Sequence, residues 1–131
     1  WVMRYAWMIV GLSLLMLALC GSASVPSDAK PIELDQTITD NAPGFYYRVD
    51  VPTPGTLEVI LEDLPAEMET RIVVINEANS WLADEQTTTP GQKVTVRANA
   101  DAPGTYYIGV MDLHGNSNYE TPYSFRVTLV S

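Results

Sequence analysis

Oxygen-bearing side chains are concentrated in one short segment, which contains Asp112, Asn116, Asn118 and Glu120. Carboxylate and amide oxygens at nearly alternate positions suit Ca²⁺, which takes about six to eight oxygen ligands. Their order differs from the Asp-x-Asp-x-Asp-Gly pattern of an EF-hand loop. The alternative is that these side chains hydrogen-bond to the backbone of their own loop, as Asx residues between strands often do. The segment is therefore a candidate calcium site, and calcium is the cofactor that the sequence indicates.

Catalytic groups are sparse in the chain. His114 is the only histidine, and although Ser117 is close to it, no Gly-x-Ser-x-Gly motif marks a nucleophile. Carboxylates such as Glu58 and Glu62 could be imagined as a glycosidase pair, but they fall on outward or turn positions without an apolar pocket to raise a pKa. We therefore expect a protein that is not an enzyme. A small secreted hydrolase is the alternative that this pattern disfavours.

Four aromatic side chains have no place in the predicted core: Tyr46, Trp81, Tyr107 and Tyr119. Exposed aromatic rings on a sheet can stack on sugar rings or dock a protein strand. In the structural alternative, Tyr46 and Tyr107 pair with each other across neighbouring strands, and Trp81 caps the edge of the core. These four residues are the candidate ligand-binding residues.

The charge balance is acidic, with 16 Asp and Glu against 7 Lys and Arg and a formal net charge of -9. Nucleic acid is not an expected partner, because its phosphates need Lys and Arg. The same balance argues against electrostatic docking on anionic lipid. It is compatible with cation binding or with a neutral polymer as partner.

Residues 1–23 have the pattern of a signal peptide. Arg4 precedes an apolar stretch of about a dozen residues, and small residues follow at positions 21–24. The apolar stretch is short for a membrane-spanning helix, which needs about 20 residues. Trp1 and Val2 precede Met3, a plausible initiator. We expect export to a secreted or cell-envelope location in a bacterium, with contact to the membrane only through this segment or a lipid anchor.

Cys20 is the only cysteine of the chain. The four residues that end there resemble a bacterial lipoprotein cleavage box, although Leu19 stands where Gly, Ala or Ser is usual. Lipidation of Cys20 would anchor the protein, with residues 24–31 as a tether. The alternatives are cleavage after Ala23, which discards Cys20, and an uncleaved anchor. The domain that follows has no thiol, which excludes disulfides and cysteine nucleophiles within it.

The elements that position the candidate residues are predicted to be strands. Four Pro-Gly pairs, at Pro43, Pro54, Pro90 and Pro103, each precede a run with alternating apolar residues. Proline presets φ and glycine accepts positive φ, so each pair predicts a turn. Turns that repeatedly precede period-two runs predict an all-β protein, an antiparallel β-sandwich of about eight strands that follows the N-terminal signal segment.

The fourth of these strands is continuously apolar, so we expect it to be covered on both faces. The eight predicted strands are residues 32–39, 45–51, 56–61, 71–75, 81–84, 93–98, 105–111 and 123–130.

Four stretches carry a resemblance to a known family. The C-terminal half contains APGTYYIGV at residues 102–110 and YSFRVTL at residues 123–129, which resemble the end of bacterial pre-peptidase C-terminal domains. FYYRVDV at residues 45–51 and PGTLEVIL at residues 54–61 resemble the first strands of that family. The similarity covers about residues 33–130. It implies a jelly-roll-like β-sandwich at residues 32–131, present here as a stand-alone exported domain.

The resemblance also implies a mode of action. Members of the family are non-catalytic and usually accompany extracellular hydrolases; some bind collagen or polysaccharide, and some bind calcium through acids near the first strands. Here Gly44 and Phe45 stand where the family often has an acid. We therefore expect an exported module that binds an extracellular polysaccharide or protein. The alternative is a structural component of a cell-envelope assembly that packs through its edge strands.

Overall fold

The protein is a sandwich of two β-sheets packed face to face. The structure is a computed structural model, and it describes residues 25–87, 89–115 and 118–131. The predicted fold class, an all-β antiparallel sandwich, is confirmed. In chain order the strands of the described residues are β1 Lys30–Ile32, β2 Thr37–Asp40, β3 Phe45–Val51, β4 Gly55–Asp63, β5 Thr70–Ile75, β6 Trp81–Gln86, β7 Thr95–Ala100, β8 Gly104–Asp112 and β9 Tyr123–Val130.

One sheet has five strands in the order β1-β3-β8-β5-β6, and the other has four in the order β2-β9-β4-β7. Neighbouring strands are antiparallel in both sheets except at β1, which lies parallel to β3. Two edges, β1 and β2, lie next to each other in the chain, so one side of the sandwich is closed by continuous backbone.

The first predicted strand, residues 32–39, is two strands in the structure. Its first part belongs to β1 in the five-stranded sheet and its second part to β2 in the four-stranded sheet. The chain changes sheet between them, with Asp35 at a φ of 65°. Ile32 and Ile38 both pack against the core from opposite sheets. Because their apolar spacing suits one straight strand as well as two, the pattern does not reveal the crossing.

The core lies between the sheets and is built from alternate side chains of the long strands. Val59, Ile108 and Val127 have no exposed surface. The ring centroids of Tyr47 and Phe125 lie 4.9 Å apart in an edge-to-face arrangement. Each large apolar side chain buried here contributes about 1.5–3 kcal/mol of transfer free energy. The sandwich is therefore held by apolar burial.

Strand β5 is buried on both of its faces, as its continuous apolar pattern predicts. Ile72 and Val74 belong to the core, whereas Val73 and Ile75 point to the opposite face of the sheet. Val73 is 0% exposed and Ile75 is 2% exposed. Side chains on the outer face must therefore cover this strand, and those side chains form the candidate site described below.

Two buried tyrosines join the sheets at one end of the core. The hydroxyl groups of Tyr47 and Tyr123 lie 2.9 Å apart, and the Tyr47 hydroxyl donates to Asp40 Oδ2 at 3.1 Å. Lys30 Nζ donates to the same oxygen at 3.1 Å. Burial raises the pKa of Tyr47 to about 12 and raises that of Tyr123 further. Burial alone would raise the pKa of Asp40, but hydrogen bonds from Ala42, Lys30 and Tyr47 outweigh it and hold that pKa below its ordinary value.

The predicted signal peptide at residues 1–23 and the possible lipidation site Cys20 lie outside the described residues. In the part of the chain that the structure describes, no helix is sufficiently long and apolar to cross a membrane.

Candidate functional site

Three of the four candidate aromatic residues lie on the outer face of the five-stranded sheet. Tyr46 on β3 is opposite Gly109 on β8, so Tyr46 and Tyr107 share one face of the sheet. Tyr107 is opposite Ile75, and Ile75 is in turn opposite Trp81. Neighbouring strands are about 4.8 Å apart, so the backbones at Tyr107 and Trp81 are about 10 Å from each other. We call the surface formed by Tyr46, Trp81 and Tyr107 the aromatic face.

Tyr46 is held on this face by the absence of a side chain at position 109. A Cβ atom on Gly109 would lie 2.8 Å from Cε1 of Tyr46 and 2.7 Å from Cγ2 of Val73. It would also lie 3.2 Å from Cε of Met111. The tyrosine ring therefore lies across the glycine and covers Val73. Burial raises the pKa of Tyr46, in accord with this half-buried position.

The proposed direct pairing of Tyr46 with Tyr107 has a different geometry in the structure. Tyr46 is opposite Gly109, and Tyr107 is opposite Arg48, so the two tyrosines are diagonal neighbours. Diagonal positions on a sheet lie about 7–8 Å apart, still within reach of aromatic side chains. Both rings are partly exposed, and each keeps surface available to a ligand.

Trp81 is the most exposed aromatic residue of the aromatic face, at 51%. The Arg71 guanidinium carbon lies 5.5 Å from its ring centroid, which is a cation–π contact. Arg71 is fixed by two hydrogen bonds of 2.8 Å to the carboxylate of Asp84. Through those bonds the pKa of Arg71 is raised and that of Asp84 is lowered. The ion pair thus holds the Arg71 guanidinium against the indole ring of Trp81.

A β-bulge sets the direction of Trp81. The register between β5 and β6 shifts between Val74 and Ile75, so that Ile75 faces Trp81 and one residue of β6 is left over. Leu82 and Ala83 pack against the core, whereas Trp81 remains on the outer face. A bulge re-aims side chains in this way at the edge of a sheet. The fifth predicted strand, residues 81–84, is thus β6 of the structure, and its first residue, Trp81, points outward.

The electrostatics of the aromatic face differ from those of the whole chain. Arg71 and Asp84 neutralise each other, and Asp50 accepts a hydrogen bond of 2.9 Å from the Thr105 hydroxyl. Arg48, beside Tyr107, has no ion-pair partner among the described residues. The net charge of the whole chain is -9, yet this surface is close to neutral. It therefore suits a ligand with little charge.

Tyr119 is not part of the aromatic face, and the prediction that it is an exposed residue is wrong. It is 6% exposed and belongs to the core cluster. Its hydroxyl donates to Asp112 Oδ1 at 2.8 Å, and its backbone N–H donates to the Asn41 carbonyl at 2.8 Å. The loop between β8 and β9 folds back on the end of β2. Sequence periodicity has no means of predicting that return, because Tyr119 lies outside any strand.

The candidate calcium segment is only partly described. Asn116 lies outside the described residues, Asn118 and Glu120 are exposed, and Asp112 is bonded to the Tyr119 hydroxyl through Oδ1. Within residues 25–87, 89–115 and 118–131, no three Asp, Glu, His or Cys side chains are grouped so that they could hold a metal ion.

His114 has a structural partner. Its Nε2 lies 3.0 Å from Glu69 Oε1, and this hydrogen bond raises the pKa of the histidine. The side chain is 58% exposed. The imidazole thus joins the β8–β9 loop to residues preceding β5 on the surface.

The fold of this chain is similar to that of a solved structure. No protein-family model matches the chain, and no curated protein matches it. The pre-peptidase C-terminal domain of a collagenase from Bacillus anthracis, known at 1.0 Å, matches 81% of this chain and 100% of its own, with 20% identity and a TM-score of 0.56. This chain has the fold of a pre-peptidase C-terminal domain. A novel β-glucosidase from Paenibacillus barengoltzii is also similar over 79% of this chain and 12% of its own, with 15% identity and a TM-score of 0.39.

Within the pre-peptidase C-terminal fold, the aromatic face draws its residues from β3, β6 and β8. The resemblance noted in the sequence at residues 102–110 and 123–129 is confirmed at the level of the fold. Sequence reasoning missed Arg71, which supports Trp81. The sequence did contain a signal that Arg71 lies on the outer face: Arg71 precedes the inward residue Ile72 in β5 and therefore points to the opposite side of the sheet.

Proposed function

We propose that this protein is a non-catalytic, exported module that binds an extracellular polysaccharide or protein through the aromatic face. The observation that carries the proposal is the row across three strands from Tyr107 over Ile75 to Trp81, with Tyr46 beside it. Aromatic rings on the surface of a rigid sheet offer large apolar area at a small cost in side-chain entropy. An extended polymer can contact both ends of such a row at once.

The proposal assigns no reaction to the domain. The carboxylates of Glu58 and Glu62 could have formed a glycosidase pair. Glu58 instead accepts a hydrogen bond of 3.1 Å from Arg97 Nε, and Glu62 Oε1 lies 3.5 Å from Arg126 Nε without a hydrogen bond between them. An acid–base pair needs two carboxyl groups on either side of a bound substrate. Binding without chemistry is the function that these contacts favour.

Retention on insoluble polymers tests the proposal. We expect the protein to be retained by at least one member of a panel of insoluble glycans and collagen. Trp81→Ala and Tyr107→Ala should each weaken retention about tenfold, the effect of losing about 1.4 kcal/mol at a contact centre. Phe45→Ala is a matched control, because Phe45 is 41% exposed but lies outside the aromatic face. No retention on any polymer, or equal losses in all three variants, would count against the proposal.

Calcium is a second part of the proposal, supported by the oxygen-rich segment at Asp112, Asn116, Asn118 and Glu120 and by the resemblance. We expect excess Ca²⁺ to raise the Tm and a chelator to reverse the rise. A ligand at about 100 times its Kd stabilises the folded state by about 2.7 kcal/mol, or on the order of 10 °C for a domain of this size. Asp28→Asn, which removes an exposed carboxylate elsewhere, should keep the rise, and Asp112→Asn should lose it. A Tm that is equal in calcium and chelator would overturn this part alone.

Export is proposed from the sequence of residues 1–23, with cleavage after Ala23 or lipidation of Cys20 as alternatives. A structural role in a cell-envelope assembly is the second candidate function. One observation favours it: β7 is an edge strand without the features that usually prevent strand addition.

A further inference from the structure

Three of the four edge strands of the sandwich are protected against pairing with another chain. β1 has three residues and contains Pro31, and β2 has four residues. β6 carries a β-bulge and the exposed acid Glu85. Short strands, proline, bulges and charges are the devices by which proteins block their sheet edges.

The fourth edge strand, β7, has none of these devices. It has six residues, contains no proline and pairs with β4 in continuous register. Its one charged residue, Arg97, is neutralised by Glu58 on β4, with Nε 3.1 Å from Oε2. β6 approaches β7 on this side of the sandwich, and a groove remains between them. It is lined by Trp81, Leu82, Arg97, Ala98, Asn99 and Asp101.

We propose that β7 pairs antiparallel with β7 of a second copy of this chain. The resulting dimer would have one continuous eight-stranded sheet and a two-fold axis at Asn99. In an antiparallel pair centred on this residue, position 97 of one copy is opposite position 101 of the other. Arg97 then faces Asp101 of the second copy, and the contact occurs twice by symmetry. A two-fold interface requires this self-complementarity, and residues 97–101, the end of β7 and the residue that follows it, have it.

The charges of β7 support this register over its neighbours. Arg97 and Asn99 are exposed on the outer face of β7, and Asp101, the exposed residue after the end of the strand, occupies the next alternate position. Asp101 has no ion-pair partner among the described residues. Arg97 uses only Nε toward Glu58, which leaves the other N–H donors of its guanidinium for a second carboxylate. A pair centred on Arg97 would instead place like charges opposite each other, which is destabilising.

The second copy is favoured over an unrelated strand because β7 supplies both halves of the charge pairing. One strand pair buries less area than the ~1,200 Å² of a small stable interface. We therefore expect a reversible dimer whose formation depends on concentration and weakens as salt screens the paired charges. Arg97 and Asp101 are not residues of the aromatic face, but Trp81 lines the same groove as both of them, so dimer formation and ligand binding are tested with separate substitutions.

Sedimentation equilibrium on protein expressed from the full chain tests the dimer. We expect the mass to rise with concentration from one to two chains. Asp101→Lys should raise the dimer dissociation constant about tenfold, because two favourable pairs become two repulsions. Glu33→Lys makes the same charge change on the opposite side of the sandwich and should leave the constant unchanged. A protein that stays monomeric at high concentration, or equal effects of the two substitutions, would overturn the proposal.

Disulfide trapping tests the register. In a Cys20→Ser background, Asn99→Cys should form a covalent dimer on oxidation, because position 99 faces itself across the axis. Thr95→Cys is the matched control on the same face of the same strand. Its two copies would lie about 26 Å apart along the strands and should remain unlinked. Equal cross-linking at both positions, or a linked dimer only at position 95, would overturn the register.

Discussion

Raising the pH from about 10 to about 12 is expected to unfold this protein cooperatively. Tyr47 and Tyr123 are 1% and 0% exposed, and their hydroxyl groups bond to each other. Burial raises the pKa of Tyr47 to about 12, and that of Tyr123 is raised further, from an ordinary value of 10.0. The unfolded chain loses these two protons at pH values where the folded state still keeps them. The stability that the buried neutral tyrosines contribute is complete below about pH 10 and is lost as the pH rises above it.

The size of the effect follows from the number of protons. Each tyrosine that remains protonated only in the folded state lowers the free energy of unfolding by about 1.4 kcal/mol per pH unit in this window. Two such groups reduce a stability of a few kcal/mol to nothing within about one to two units. The expected transition is therefore steep.

Tyr47→Phe separates the titration from the hydrogen bonds. At pH 7 the substitution should cost about 1 kcal/mol, because the phenol loses its bonds to Asp40 and Tyr123. Between pH 10 and 12, the free energy of unfolding of the variant should fall less steeply with pH than that of the wild type. The difference should be about 1.4 kcal/mol per pH unit, which corresponds to one proton. Chemical denaturation at a series of pH values measures both quantities. An alkaline slope that is the same in the variant and the wild type would show that Tyr47 is not the titrating group.

Gly109→Ala is expected to destabilise the fold by about 1–3 kcal/mol, the usual cost of overpacking. The new methyl group would lie 2.7 Å from Val73 Cγ2 and 2.8 Å from Tyr46 Cε1. Val73 is fully buried on a central strand, so it has little room to move, and the Tyr46 ring must leave its place. The substitution therefore lowers the Tm by several degrees and also disturbs the aromatic face.

The double variant Gly109→Ala/Val73→Ala is the control for this account. Shortening Val73 removes the closest contact of the added methyl group, so the two substitutions should be strongly non-additive. We expect a coupling free energy of about 1 kcal/mol or more in the double-mutant cycle. Additive losses would mean that position 109 is sensitive for a reason other than contact with Val73.

The strands of this fold were largely predictable, because burial between two sheets imposes period two on the sequence. β3 and β9 have the predicted bounds, residues 45–51 and 123–130. The boundaries that failed are those set by contacts between distant segments. The crossing at Asp35 and the bulge within β6 depend on how each residue pairs with a neighbouring strand. The local spacing of apolar residues does not reveal that pairing.

The sequence also predicted part of the candidate site. Tyr46, Trp81 and Tyr107 could be placed outside the core because they alternate with inward residues or begin a strand. Tyr119 has no such register, and its burial follows from bonds to Asn41 and Asp112. The dependence of Tyr46 on Gly109 also needs the pairing of β3 with β8, which the sequence does not specify.

Fluorescence quenching at Trp81 tests the central claim most directly. Trp1 and Trp7 are the other tryptophans of the chain, so after removal of residues 1–23 the emission reports on the aromatic face alone. Acrylamide should quench the free protein readily, because Trp81 is 51% exposed. Soluble fragments of a glycan that retains the protein, or soluble collagen if collagen retains it, should shield Trp81 and reduce the quenching constant severalfold at saturation. Undiminished quenching in the presence of every soluble glycan fragment and of collagen would contradict the claim that the aromatic face is the binding surface.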